Sequence, residues 1–203
     1  PLTLTSGTNL TTPVAGSVEY DGKLAYFSPA AAIRALTPSN YFYRNNAAVT
    51  LSSSVTTNQS IFGLTSGVTV QANTIYEIEG YFNLNTSGTV SHSESFGFVL
   101  TTATVSNMYV AVYRNPTSVG AAVTSVAILT SVTPTAMQAL VTTAQTAVYW
   151  FKGTIAFTTG GSINPVIAFS AAPGGTSTIA IGAYTKLTPV GTTGSNVSIG
   201  TWA

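Results

Sequence analysis

Apolar and polar residues alternate with a period of two through most of this chain, and that alternation confines it to strands. Over residues 75–85, Tyr76, Ile78, Gly80, Phe82 and Leu84 fall on one side, with Ile75, Glu77, Glu79, Tyr81 and Asn83 on the other. A strand with one face on a core and one face in water has this pattern. Residues 148–157 repeat it, with Tyr149, Phe151, Ile155 and Phe157 opposed to Trp150, Lys152 and Thr154. Further strands are expected at 49–52, 61–64, 90–100, 108–114, 123–129, 139–142, 163–170, 178–187 and 197–202. Turn residues separate them, as in Asn85-Thr86-Ser87-Gly88, Thr159-Gly160-Gly161 and Pro173-Gly174-Gly175. Many short strands punctuated this regularly predict an all-β chain, an antiparallel β-sandwich of jelly-roll type.

Helix signals are sparse. Residues 29–36 carry an alanine-rich run that predicts about two helical turns before Pro38. Residues 135–140 fit one turn or the approach to a strand, because β-branched neighbours disfavour anything longer. The first 38 residues differ from the rest. Asp21-Gly22 supplies turn residues that tolerate positive φ, so residues 19–27 predict a β-hairpin. Before it, residues 1–13 alternate apolar and hydroxyl side chains and read as an extended arm. The expected organisation is an arm with a hairpin over 1–38 and a sandwich domain over 39–203.

Charge scarcity limits the chemistry. Six Lys and Arg and five Asp and Glu make up 5% of the 203 residues, against roughly 25% in an ordinary domain. The 45% hydrophobic content is normal, so the chain is not of the disordered, apolar-poor kind. Lys23, Arg34, Arg44, Arg114, Lys152 and Lys186 are scattered, which leaves no basic stripe and no nucleic-acid partner. Without cysteine there is no disulfide, thiolate nucleophile or Cys-based zinc site. No apolar run approaches the length of a membrane-spanning helix, and no membrane insertion is expected. The start at Pro1, with no Met and no signal pattern, reads as a piece of something longer.

Few residues are furnished for catalysis. His92 shares a strand face with Glu94, Phe96 and Phe98, an arrangement able to poise a base, but no third ligand stands near for a metal. A hydrogen-bonded pair at a solvent edge or interface is the plainer reading. Glu77 and Glu79 lie on one face about 7 Å apart at strand rise. They suit a solvated face or pairing to a base such as Arg44 or Arg114 better than a glycosidase pair in a cleft. A calcium site there lacks the acidic loop such sites use. No Gly-x-Ser-x-Gly elbow or phosphate-loop lysine occurs. Catalytic, cofactor and metal residues are therefore expected to be none. Four sequons, at Asn9, Asn58, Asn85 and Asn196, are what chance gives in a chain so rich in Thr and Ser. Tyr41, Phe42, Tyr43, Tyr109, Tyr113, Trp150 and Trp202 suit a carbohydrate- or protein-binding surface, or else fill the core or a subunit interface.

The stretch Leu2-Thr3-Leu4-Thr5-Ser6-Gly7-Thr8-Asn9-Leu10-Thr11-Thr12-Pro13-Val14-Ala15-Gly16-Ser17-Val18-Glu19-Tyr20-Asp21-Gly22, with Tyr26-Phe27-Ser28-Pro29 after it, resembles a linker of tailed-bacteriophage virion proteins. There it joins a repetitive fibre shaft to a terminal β domain. Tyr41-Phe42-Tyr43-Arg44 through Gln71-Ala72-Asn73-Thr74-Ile75-Tyr76-Glu77 is similar to the opening of that domain. The resemblance covers residues 1–100 and implies a non-enzymatic structural protein of the virion, a fibre or appendage tip, trimeric with itself and joined to other virion proteins through its arm. It implies a host surface glycan or protein as the outer partner, and it carries over no site residues. A capsid decoration protein, or head fibre, is the alternative; a glycan-cleaving tip is poorly supplied with acids. On a fibre the contact loops lie opposite the arm, which points to residues 86–89, 114–120 and 172–177. The best furnished is Tyr113, Arg114, Asn115 and Thr117, read as a proline-stiffened turn that offers a guanidinium and an amide.

Overall fold

The computed structural model describes residues 3–88, 90–116, 125–141, 144–194, 196, 198 and 199. Every regular element among them is a strand, and the pairings are antiparallel. In chain order they are β1 (Val18–Tyr20), β2 (Ala25–Ala30), β3 (Ile33–Thr37), β4 (Tyr41–Arg44), β5 (Val49–Leu51), β6 (Gln59–Ser60), β7 (Val68–Val70) and β8 (Thr74–Thr86). Then come β9 (His92–Thr101), β10 (Thr104–Pro116), β11 (Ser125–Leu129), β12 (Thr135–Val141), β13 (Gln145–Thr159), β14 (Gly161–Phe169), β15 (Ser177–Ile179) and β16 (Tyr184–Thr192).

Strands β1, β2 and β3 form a three-stranded sheet of their own. The large, eight-stranded sheet runs β11-β10-β13-β8 and then forks. The late residues of β8 pair with β15, which carries β5, while its early residues pair with β16, which carries β4. The five-stranded sheet runs β12-β9-β14, and β14 is flanked by β6 and β7. From β8 to β15 the chain changes sheet at almost every step, which makes this an antiparallel, jelly-roll-like sandwich.

The alternation seen in the sequence builds the core. Tyr76, Ile78, Phe82 and Leu84 of β8 and Tyr149, Phe151, Ile155 and Phe157 of β13 are all buried between the sheets. Phe82 stacks on Tyr149 at 4.6 Å, and Phe96 of β9 closes on Phe151 at 4.9 Å from the facing sheet. Burying each large apolar side chain is worth about 1.5–3 kcal/mol, so this aromatic seam is the main cohesive force. Gly80 interrupts the β8 row for a steric reason, since a Cβ there would lie 2.2 Å from the Phe151 ring.

Several local expectations change. Residues 29–36 form the β2–β3 hairpin rather than a helix, with Ala30 opposite Ile33 and Ala32 at φ 60°. Residues 135–140 belong to strand β12. Residues 61–64 are a turn, in which Ser60 Oγ accepts the N–H groups of Phe62 and Leu64. Residues 178–187 divide into β15 and β16 around Gly182, whose φ is 91°. Strand β4 is an addition to the sequence reading. Of the expected strands at 123–129 and 197–202, residues 123, 124, 197 and 200–202 lie outside the described residues.

The hairpin at Asp21-Gly22 forms as expected, with Glu19 opposite Tyr26, and the Asp21 carboxylate accepts the N–H groups of Lys23 and Leu24. The arm before it lies along the small sheet: Leu10 N–H donates to Glu19 Oε2 at 2.8 Å and Ala32 N–H to the Pro13 carbonyl at 2.8 Å. Lys23 Nζ donates to the carbonyls of Ala72 and Asn73, each at 2.9 Å. That fixes the small sheet at the end of the sandwich where β8 begins.

Candidate binding face on the large sheet

Strand parity decides where the predicted contact residues go. Strand β10 continues to Pro116, opposite Ala147, so Tyr113, Arg114 and Asn115 sit within a strand rather than in a turn. Tyr113 and Asn115 point out to solvent, and Arg114 points into the core with its side chain fully buried. Thr117 lies outside the described residues. Arg114 is therefore withdrawn from any external contact. Its Nε donates to Glu94 Oε2 at 2.7 Å, its Nη1 to Gln138 Oε1 at 3.3 Å, and Tyr149 Oη donates to the same Glu94 oxygen at 2.7 Å. Burial, followed by the Glu94 carboxylate, pushes the Tyr149 hydroxyl far above its ordinary range, so it serves as a donor and not as an acid. A sequence signal for this was present: Met108, Val110, Val112 and Arg114 share one parity.

His92 and Glu94 are both inward and buried, rather than at a solvent edge. They serve different partners: His92 Nδ1 donates to the Val90 carbonyl at 2.7 Å, while Glu94 belongs to Arg114 and Tyr149. Among the described residues, no three metal-ligating side chains converge. Glu77 and Glu79 are on the outer face, paired with Lys152 and Lys186 rather than with an arginine. Lys152 Nζ lies 3.0 Å from Glu77 and 3.8 Å from Glu79, and Lys186 Nζ lies 2.7 Å from Glu79. The Lys186 hydrogen bond holds Glu79 below the usual carboxylate range, and the Glu77 hydrogen bond raises Lys152. Two acids and two lysines neutralise one another there.

The loops at 86–88 and 172–176 do meet, at the end of the sandwich away from Lys23. Ser87 N–H donates to the Thr176 carbonyl and Thr176 N–H to Ser87 Oγ, each at 2.8 Å. Residue 89 lies outside the described residues.

The outer face of the large sheet brings together what the sequence keeps apart. Cross-strand registers align Val126 (β11), Tyr113 (β10), Trp150 (β13), Tyr81 (β8), Tyr184 (β16) and Arg44 (β4) in one transverse row. The next row reads Ile128, Ala111, Lys152, Glu79, Lys186 and Phe42. Tyr113 and Trp150 rings stand 5.4 Å apart, Tyr81 and Tyr184 6.4 Å, and Phe42 stacks on Tyr184 at 5.7 Å. Trp150 keeps 44% of its surface exposed, and Tyr109 and Phe42 keep 60% each. Of the seven aromatic residues singled out from sequence, Phe42, Tyr109, Tyr113 and Trp150 are exposed on this face, Tyr41 and Tyr43 are exposed at the sheet edge with their rings toward Tyr76 and Phe62, and Trp202 lies outside the described residues. Such a face offers apolar area framed by self-neutralised charge, which suits binding.

No protein family, curated protein or solved structure matches this chain.

Proposed function

We propose that the chain is a non-enzymatic structural domain of a tailed-phage virion, the distal part of a fibre, and that it makes contact through the outer face of its large sheet. The observation that carries this reading is the exposed row from Val126 to Arg44, which crosses six strands of one rigid sheet. Monomeric proteins seldom leave contiguous apolar patches of this kind without a partner. The linker resemblance of the first 30 residues supplies the virion context, and the attachment of the small sheet at one end gives the sandwich a proximal and a distal pole. A second reading has its own support. The row is strand surface rather than a loop-lined cleft, which also fits a decoration protein laid on a capsid.

Sedimentation of the purified protein with a panel of bacterial cells, extracted surface polysaccharides and purified phage capsids tests both readings. A fibre domain is expected to bind cells or polysaccharide without shortening the polymer, and Tyr113→Ala with Trp150→Ala is expected to weaken that binding at least tenfold, which corresponds to about 1.4 kcal/mol. Binding to capsids alone decides for decoration. Full binding by a correctly folded double variant removes the face from consideration.

A further inference from the structure

The geometry points to a separate small-molecule pocket at the open edge of the sandwich, shaped for an uncharged single-ring ligand that carries one hydroxyl, the chemistry of a simple phenol. At this edge β4 and β16 of the large sheet stand across from β7 and β14 of the smaller one, and the space between them is not filled. Tyr41 and Tyr43 form the lip, and Phe62, Leu64, Ile163 and Leu187 line the interior, around a volume of about 250 Å³. An apolar cavity of about 150 Å³ suffices for benzene, so a substituted ring fits.

Three features select the ligand. No charged side chain lines the pocket, which disfavours ions and carboxylates. Asn164 is held by the protein itself, its Oδ1 accepting from Ser60 Oγ at 3.1 Å and its Nδ2 donating to the Leu64 carbonyl at 3.0 Å. Thr185 faces the same space, is 4% exposed, and its Oγ1 has no hydrogen-bond partner. A buried hydroxyl without a partner is costly, and a ligand oxygen there would satisfy it. Of the lining side chains, Thr185 alone has a buried polar atom without a partner, which suits one ligand hydroxyl; a sugar would bury further hydroxyls against apolar walls. The walls are also set: a Cβ at Gly67 would lie 1.7 Å from the Ile163 carbonyl oxygen, so the backbone approach there admits only glycine.

Titration calorimetry with p-cresol, toluene, benzoate and glucose, with ring and methyl shifts followed by NMR, tests the assignment. The protein is expected to bind p-cresol saturably, about tenfold tighter than toluene for one net hydrogen bond, and to ignore benzoate and glucose. Shifts are expected at Thr185, Tyr41 and Tyr43. Thr185→Val keeps the shape and removes the hydroxyl, and is expected to abolish the preference for p-cresol over toluene. Equal binding of the two by the unaltered protein, unchanged p-cresol preference in Thr185→Val, shifts located elsewhere, or no saturable binding each overturns the assignment. A particle mass that falls when p-cresol is added also overturns it, because the ring would then belong to a second copy of the chain.

Discussion

Arg114 shows how one residue changes meaning with its strand parity. As an exposed turn residue its removal would cost within about 0.5 kcal/mol. In the fold its guanidinium is buried in the core, bonded to Glu94 and Gln138, with its carbon 5.8 Å from the Tyr149 ring centre. Removing two charges from water costs several kcal/mol per ion, and the pair recovers this only through good geometry. Recovery is incomplete here, since Glu94 Oε1 and Arg114 Nη2 have no partner. Loss of one member should thus be far worse than loss of all. Arg114→Met is expected to lower unfolding free energy by about 3–5 kcal/mol in urea titration. Combining it with Glu94→Leu and Tyr149→Phe is expected to restore most of that. A triple variant no better than the single one would refute the uncompensated-charge account.

At the scale of elements, period two was a sound guide wherever a strand has one wet face, as β8 and β13 show with their alternating burial. It failed where local chemistry outweighed pattern. Residues 29–36 have helix-favouring alanines, but an isolated run of two turns is too short to sustain a helix. As β3, Arg34 can instead reach Glu19 at 2.8 Å and lie 5.6 Å from the Tyr26 ring centre. The hairpin turn holds Ala32 at φ 60°, a conformation that costs a residue with a Cβ about 1–2 kcal/mol. Ala32 is exposed, and its N–H bond to Pro13 involves only backbone. Ala32→Gly is therefore expected to raise stability by about 0.5–1 kcal/mol, offset in part by the entropy that glycine adds to the unfolded chain. Thermal or urea unfolding reads the sign directly, and a loss of stability would mean that the strain in the turn is smaller than the entropy glycine adds to the unfolded chain.

For the molecule as a whole, the sandwich and its aromatic stock were legible, while the candidate face on the large sheet was not. Tyr113, Trp150, Tyr81 and Tyr184 lie far apart in sequence, and only the registers of β10, β13, β8 and β16 put them in one row. Charge scarcity, read first as a limit on chemistry, also concentrates the response to acid in a few places. Arg34 is the main cause holding Glu19 below its ordinary 4.5, and Lys186 does the same for Glu79. For Asp21, burial pulls upward, but the N–H groups of Leu24 and Lys23 and the Tyr26 hydroxyl outweigh it, so it lies below 3.8. Each lowered carboxylate contributes stability that is fully present above its ordinary value and is lost as pH falls through the native one. The stability that these three carboxylates contribute is expected to be present down to about pH 4.5 and to decline below it. Glu19 and Asp21 both serve the small N-terminal sheet, so amide exchange should show β1 to β3 losing protection before β8 and β13. A sandwich that opens before the small sheet would contradict this distribution of charge.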